Sequence, residues 1–246
     1  MTHKTKAIIL RSIKYGETSL VVTAFTGRFG LQTYLVNGVR ASAKKNQHAV
    51  CFQPSAILNM EMYHNELKNM HRIKEYEFAH LYQQLFSKVI KNGVALFMVE
   101  LLYNVLKQPE QNQPLFYFCE DALMHLDEAP APVTANYPLY FILHLSYFLG
   151  FKINEEDAGK QYGYIDLQEG AFAEKQPHHP HFLSGEDVEI TTALLQTRLP
   201  AELSSLSLNK QKRKHLLLKY LDYYRLHLQN FGQLKTLPVL EEILNN

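Results

Sequence analysis

The stretch AIILRSIKYGETSLVVTAFTGRFGLQTYLVN, residues 7–37, decides the fold. It contains three runs that are rich in β-branched and aromatic residues, at residues 7–13, 19–25 and 31–37. Residues 15–17 separate the first two runs, and residues 26–30 separate the second from the third. Gly27 and Gly30 in the second turn permit the positive φ angles that tight turns use. The stretch therefore predicts three consecutive β-strands.

Two further strands are predicted downstream. Residues 56–63 alternate, with Leu58, Met60 and Met62 on one face and Asn59 and Glu61 on the other, which is the period of a half-buried strand. Residues 67–76 form the fifth candidate. Five short strands within the first 78 residues predict a small closed barrel of the OB type.

The apolar spacing becomes helical after residue 78. The predicted fold class is α+β, with an N-terminal OB-type β-barrel over residues 1–78 and a larger, mainly α-helical domain over residues 79–246. Within the second domain we expect a linker at residues 129–132 (APAP), an apolar helix at 137–149 and a long helix at 209–230. Residues 151–183 predict an irregular insert with a short hairpin at 162–166 and 171–174.

Charge is distributed unevenly along the 246 residues, although the net charge is only +1. Residues 1–80 carry +6, residues 81–200 carry −8 and residues 201–246 carry +3. A basic N-terminal part predicts a polyanionic partner for the barrel. The chain has no apolar run of membrane-spanning length, and its N-terminal apolar run is too short for a signal peptide, so a cytoplasmic location is expected.

The motifs of common enzymes are missing from the sequence: it contains no GxxxxGK[ST], GxGxxG, GxSxG or HExxH. We therefore predict that the chain is not an enzyme and carries no cofactor. The carboxylates of Asp121, Asp127 and Glu128 are predicted to be solvated. The histidines of residues 178–181 are assigned to an exposed loop, because a structural zinc site needs four ligands and no cysteine is near. Cys51 and Cys119 are predicted to be free thiols.

Basic residues in and beside the predicted strands are the candidate DNA-binding set. The set comprises Arg11, Lys14, Arg28, Arg40, Lys44, Lys45, Lys68, Arg72 and Lys74. In the fifth strand, period two predicts that Lys68, Met70, Arg72, Lys74 and Tyr76 share one face. Cations that hold phosphates beside rings that stack on bases are typical of single-strand binding. Phe29 and Tyr34 are candidates for stacking in the same way, but for each ring core packing is the favoured interpretation.

A second basic cluster, residues 210–215, opens the predicted long helix. Cations at a helix N-terminus oppose the macrodipole, so local helix stability does not explain them. Two explanations stay open: an anionic partner, or pairing with the acidic middle of the chain.

The N-terminal part resembles the RecO family. The resemblance is carried by residues 8–12 (IILRS), 15–19 (YGETS), 25–30 (FTGRFG), 37–40 (NGVR), the basic loop ending at Lys45, and residues 52–54 (FQP). It implies an OB domain followed by a helical domain, the binding of single- and double-stranded DNA, and strand annealing. It also implies RecR and the acidic, hydrophobic-ended tail of single-stranded-DNA-binding protein as partners, recombinase loading onto coated strands, and association with the nucleoid.

The resemblance suggests Lys212, Arg213 and Lys214 as cations for the partner tail. Many relatives carry a four-cysteine zinc element at the position of residues 151–183, which contain no cysteine here. We therefore expect a metal-free insert that is held by packing. Two rival functions are another OB-fold module, such as an RNA-binding factor, and a metal-dependent nuclease that uses the histidine loop. Stronger binding to RNA, or nuclease activity lost on His179→Ala, would identify them.

Overall fold

The computed structural model describes residues 2–39, 49–65, 67–154 and 162–243. Five strands form a closed barrel in the order β1-β2-β3-β5-β4. Their bounds are Thr2–Tyr15 (β1), Ser19–Thr26 (β2), Gly30–Val36 (β3), Ile57–Tyr63 (β4) and His71–Phe78 (β5). All pairs are antiparallel except β3 with β5, which is parallel. The predicted OB-type barrel is confirmed.

The barrel core follows the alternation of the strands. Leu58, Met60 and Met62 of β4 point inward and are at most 2% exposed, whereas Asn59 is exposed, as predicted. Tyr34 is fully buried, and its hydroxyl donates to the sulfur of Met62 at 2.8 Å. Burial raises the pKa of Tyr34 well above its ordinary value. Tyr34 is therefore a core residue, which is the alternative that the sequence favoured for it, and its ring is not available to stack on bases.

Strand β5 differs from the prediction at its start and in its register. It begins at His71, so Lys68 and Met70 precede the strand. The register with β4 shifts beside Lys74, because Glu61 pairs with Glu75 and Met62 pairs with Ile73. This bulge adds one residue and reverses the alternation beyond it. Tyr76 consequently turns into the core, and the prediction that these residues share one face is wrong.

Two helices accompany the barrel in the first compact unit, which comprises Met1–Lys88 and Ala95–Asp127. They are α1, Val89–Val105, and α2, Gln113–Glu128. Lys6 of β1 forms an ion pair of 2.8 Å with Glu120, which is 6% exposed. The strands end at the predicted boundary, residue 78, but the compact unit continues beyond it.

Asp127 ties the segment after the barrel to α2. It is 3% exposed, and its carboxylate accepts the backbone N–H groups of Gln83 at 2.9 Å, Gln84 at 2.8 Å and Leu85 at 2.6 Å. The prediction that Asp127 is a solvated acid is therefore wrong. Hydrogen bonds to an ionised carboxylate are stronger than those between neutral groups, so Asp127 holds residues 83–85 against α2.

The second compact unit comprises Val89–Val94 and Glu128–Asn246. Helix α1 thus contributes its first residues to this unit and the rest to the first. The other helices of the second unit are α3 (Ala131–Phe148), α4 (Glu186–Gln196), α5 (Lys210–His227) and α6 (Leu237–Ile243), with a 3-10 helix at Pro200–Ser205.

Helix α3 packs against α4, α5 and the 3-10 helix. The linker predicted at residues 129–132 is shortened to residues 129–130, because α3 begins at Ala131 and takes Pro132 into its first turn. Proline is tolerated there because the first N–H groups of a helix have no partner within the helix. The apolar helix predicted at 137–149 is confirmed as the later part of α3, and the long helix predicted at 209–230 is confirmed as α5, which ends three residues earlier than predicted. None of the described helices is long and apolar enough to cross a membrane.

The insert contains a small antiparallel sheet in the order β7-β6-β8. Its strands are Tyr164–Asp166 (β6), Ala171–Ala173 (β7) and Phe182–Ser184 (β8). The predicted hairpin of β6 and β7 is confirmed, and β8 was not predicted. Ile165 and Leu183 are buried, so apolar packing stabilises the sheet.

Candidate nucleic-acid interface

An open groove of about 850 Å³ lies where β4 ends and β5 begins. The described residues between these strands contribute to its lining, and so does His3 at the start of β1, because β1 pairs with the end of β4. We call this the barrel groove; it is lined by His3, Tyr63, His64, Asn65, Leu67, Lys68, Met70, His71 and Arg72. Its lining offers aromatic rings and cations side by side.

Rings form a continuous row along the groove. The Phe29 and His64 rings stack with centroids 4.1 Å apart and an interplanar angle of 25°, and the His64 and His71 rings follow at 4.7 Å. His3 meets Phe29 edge-on at 5.4 Å. Burial and the neighbouring His64 lower the pKa of His71, so its ring is uncharged at neutral pH. Tyr63 is 50% exposed and offers an accessible ring face.

The cations of the barrel differ in whether a carboxylate already holds them. Lys74 forms an ion pair of 2.8 Å with Glu61, and this hydrogen bond raises the pKa of Lys74. In contrast, Arg28, Lys68 and Arg72 are exposed and make no ion pair within the described residues. We call these three the groove cations. The guanidinium of Arg28 lies 5.3 Å from the ring centroid of Phe29, beside the ring row.

Arg11 and Lys14 belong to the opposite end of β1. Lys14 is separated from His3 by up to about 36 Å of extended chain. Arg11 donates to the hydroxyl of Tyr103 at 3.4 Å and lies over its ring, and Lys14 is exposed. Arg11 and Lys14 therefore do not line the barrel groove, although they belong to the same strand as His3. Arg40, Lys44 and Lys45 of that set lie outside the described residues.

The basic cluster of α5 is distributed over three environments. Lys212 forms ion pairs with Glu186 at 2.7 Å and Asp187 at 2.9 Å, so for this residue the acidic middle of the chain supplies the partner. Lys214 forms an ion pair of 2.8 Å with Glu241. Arg213 donates from Nη1 to the carbonyl of Leu208, and its Nε is buried with no acceptor among the described residues.

A small, largely apolar groove separates α3, α5 and α6. We call it the helical groove; it is lined by Ala135, Pro138, Leu139, Lys210, Arg213, Lys214, Leu217, Leu240 and Glu241. The lining combines aliphatic side chains with the cations Lys210, Arg213 and Lys214. Such a site fits a peptide that carries both apolar and acidic side chains.

The histidine loop does not present a metal site. The ring of His179 contacts Asp166 through Nε2 at 3.1 Å and accepts the N–H of His181 on Nδ1 at 3.3 Å, so both ring nitrogens are engaged. Among the described residues there is no group of three or more His, Cys, Asp and Glu side chains that could hold a metal ion.

Comparison with known proteins places most of the chain in one family. Residues 1–82 match the family model "Recombination protein O N terminal", and residues 87–238 match "Recombination protein O C terminal". The chain belongs to the RecO family. The protein named DNA repair protein RecO of Christiangramia forsetii is 34% identical over 239 residues, which cover 97% of this chain and 98% of the relative. The protein of that name in Phocaeicola vulgatus is 31% identical over 245 residues and is covered in full, as is this chain.

The insert of this RecO-family chain does not fit the four-cysteine zinc element that many relatives carry at this position. Residues 151–183 contain no cysteine, and the ring of His179 is already engaged by protein groups.

The sequence reading missed the ring row of the barrel groove. His3, His64 and His71 are far apart in the sequence, and only the pairing of β1 with β4 and β4 with β5 brings them together. Local spacing carries no signal for the row, because His3 lies outside the predicted strands and His71 lies in the middle of the fifth.

Proposed function

We propose that this RecO-family DNA repair protein is a recombination mediator without bond chemistry of its own. It binds and anneals single-stranded DNA at the barrel groove and helps to load recombinase onto strands coated with single-stranded-DNA-binding protein. It works at the nucleoid with RecR and with the acidic tail of the coating protein. The observation that carries the proposal is the juxtaposition of the ring row with the groove cations, which no carboxylate of the described residues holds.

The groove cations supply the electrostatic part of binding. A cation already paired with a carboxylate must lose that partner before it neutralises a phosphate, so Lys74 contributes less than Arg28, Lys68 and Arg72. Each phosphate that is neutralised releases counterions, which makes binding sensitive to salt. We further propose that Arg40, Lys44 and Lys45 contribute phosphate contacts of their own. Arg11 and Lys14 would contact the phosphates of a DNA strand that extends beyond the groove.

The rings supply a contact that duplex DNA cannot use. Bases in a duplex are stacked on one another, whereas an unpaired base exposes a face to an aromatic side chain. Tyr63 is the accessible ring, and the row of Phe29, His64 and His71 extends the stack into the groove. The barrel groove thereby favours single strands over duplexes.

The first test compares three variants in fluorescence anisotropy with a labelled single-stranded DNA oligomer. R28A/K68A/R72A should lose most of the affinity, and the control K74A should stay close to the native protein, because Lys74 is held by Glu61. R40A/K44A/K45A tests the basic loop separately. Equal losses in K74A and in the triple groove variant would contradict the assignment of the site. Stronger binding of an RNA oligomer of the same sequence would favour the RNA-binding alternative.

A second comparison separates stacking from charge. Tyr63→Ala should weaken single-strand binding about tenfold, or ~1.4 kcal/mol, within the range for one base stacked on a ring, and should leave duplex binding unchanged. The matched control is Tyr15→Ala, because Tyr15 is 60% exposed at the far end of β1. An equal effect of the two substitutions would argue against stacking in the groove.

The helical groove is the proposed site for the partner tail. Its aliphatic side chains accept the hydrophobic end of the tail, and Arg213 and Lys214 of the lining meet its carboxylates. Lys212 contributes only long-range charge, since Glu186 and Asp187 hold it. Arg213→Ala should abolish binding of a tail peptide while single-strand DNA binding persists. Loss of both activities together would indicate a folding defect rather than a lost contact.

A further inference from the structure

The C-terminal helix α6 already occupies one side of the helical groove. Leu240 is 1% exposed and belongs to the groove lining. The next residue, Glu241, places its carboxylate 2.8 Å from the ammonium of Lys214. The same helix therefore brings one apolar and one acidic side chain to the site.

The composition of α6 is that of an acidic apolar peptide. Its seven residues, LPVLEEI, combine two carboxylates with four aliphatic side chains. Its contacts are thus the two kinds that the groove would offer to a separate acidic tail. We propose that α6 is a built-in competitor, which covers Lys214 and the apolar lining until a partner tail displaces it. This inference rests on the tail site given under Proposed function.

The contacts of α6 are suited to displacement. The ion pair is partly solvated, with 53% of the Lys214 side chain and 23% of the Glu241 side chain exposed, and surface pairs of this kind contribute little. A helix of seven residues is not stable alone in water, so α6 remains helical only while it packs on the unit. Release therefore melts the helix as well as uncovering the groove.

A displacing tail can gain a hydrogen bond that α6 does not make. The Nε of Arg213 is a buried donor with no acceptor among the described residues. Glu241 pairs with Lys214 instead. An additional carboxylate on an incoming tail would satisfy the Arg213 donor, and this differential contact gives the exchange its direction.

The test uses the full chain and a labelled peptide of the last ten or so residues of the single-stranded-DNA-binding protein. Glu241→Lys replaces the ion pair with repulsion and should tighten peptide binding about 3- to 10-fold, because less of the groove is covered. Glu241→Gln should shift affinity in the same direction by a smaller factor. The matched control is Glu242→Lys, since Glu242 is exposed, makes no ion pair among the described residues and carries the same charge change. Hydrogen exchange of residues 237–243 should be faster in Glu241→Lys than in Glu242→Lys.

The outcomes distinguish this inference from the proposed function. Equal tightening by both lysine variants would reduce the effect to net charge and overturn the competition. Peptide binding that is unchanged in Glu241→Lys would also overturn it, with the tail site left intact. Absence of peptide binding in every variant, including the native chain, would instead remove the tail site itself and the competition with it.

Discussion

Replacing Asp127 with alanine should destabilise the barrel unit by about 2–4 kcal/mol. The carboxylate accepts three backbone N–H groups, and the three donors are not equally protected. Gln83 and Gln84 are exposed, so water can replace the lost acceptor at moderate cost. Leu85 is buried, and its N–H would be left without an acceptor, which alone costs about 1–3 kcal/mol. The stability of Asp127→Asn should fall between those of the native protein and of Asp127→Ala, because the asparagine side chain has only one oxygen that accepts hydrogen bonds.

Urea unfolding followed by circular dichroism measures this difference, and the 15 tyrosines provide a second signal in a chain without tryptophan. The matched control is Asp121→Ala, an exposed acid on the same helix, which should change stability by less than about 0.5 kcal/mol. A loss in Asp127→Ala no larger than the loss in Asp121→Ala would refute the role assigned to the three hydrogen bonds. Below the unfolding transition, single-strand affinity should be unchanged, because Asp127 is not part of the barrel groove.

Three further predictions follow from other features. If the three groove cations each neutralise one phosphate, a plot of the logarithm of the association constant against the logarithm of the salt concentration should have a slope near −2. A fourfold increase in salt should then weaken single-strand binding ~20-fold. The variant R28A/K68A/R72A should lose most of this salt dependence. Folding lowers the pKa of His71, so the unfolded chain binds a proton at this residue more tightly than the folded chain does. The contribution of His71 to the free energy of unfolding is therefore present above the unfolded pKa and is lost as pH falls. Between pH 7 and pH 5 the melting temperature should accordingly fall less in His71→Asn than in the native protein. Gly30→Ala should cost more than about 3 kcal/mol, because its φ is +63° and a Cβ would lie 2.1 Å from the carbonyl oxygen of Glu110, whereas Gly16→Ala, at φ +57° in open space, should cost about 1–2 kcal/mol in the same urea assay.

Local pattern was sufficient to predict the barrel, because its strands obey local rules. Period two in β4 assigns Leu58, Met60 and Met62 to the core, and glycine-containing turns separate the first three strands. The same rule failed in β5, where the bulge at Lys74 depends on pairing with a strand about a dozen residues away. The residue types of β5 do not indicate where a bulge lies, so the period of the sequence could not predict the direction in which the Tyr76 side chain points.

The candidate site was only partly predictable for a related reason. Arg28, Lys68 and Arg72 were identified from their charge, but whether a cation is available depends on long-range partners, as the pair of Lys74 with Glu61 illustrates. The buried state of Asp127 likewise depends on a segment more than 40 residues earlier. Residue type predicts the charge and hydrogen-bonding capacity of a side chain. Its tertiary contacts decide whether that side chain is available to a ligand.

Strand β1 is longer than the barrel requires, and its outer part has a consequence for handling the protein. Among the described residues β1 pairs with β4 only as far as Ile8, while its pairing with β2 continues to Tyr15. The outer part of β1 is therefore an edge strand, and Ile13 and Tyr15 on it are exposed. Exposed edges recruit other strands and promote aggregation, and charged side chains such as Lys14 oppose this. Neutralising Lys14 to probe DNA binding would thus also lower the colloidal stability of the chain, and light scattering belongs beside every affinity measured on such a variant.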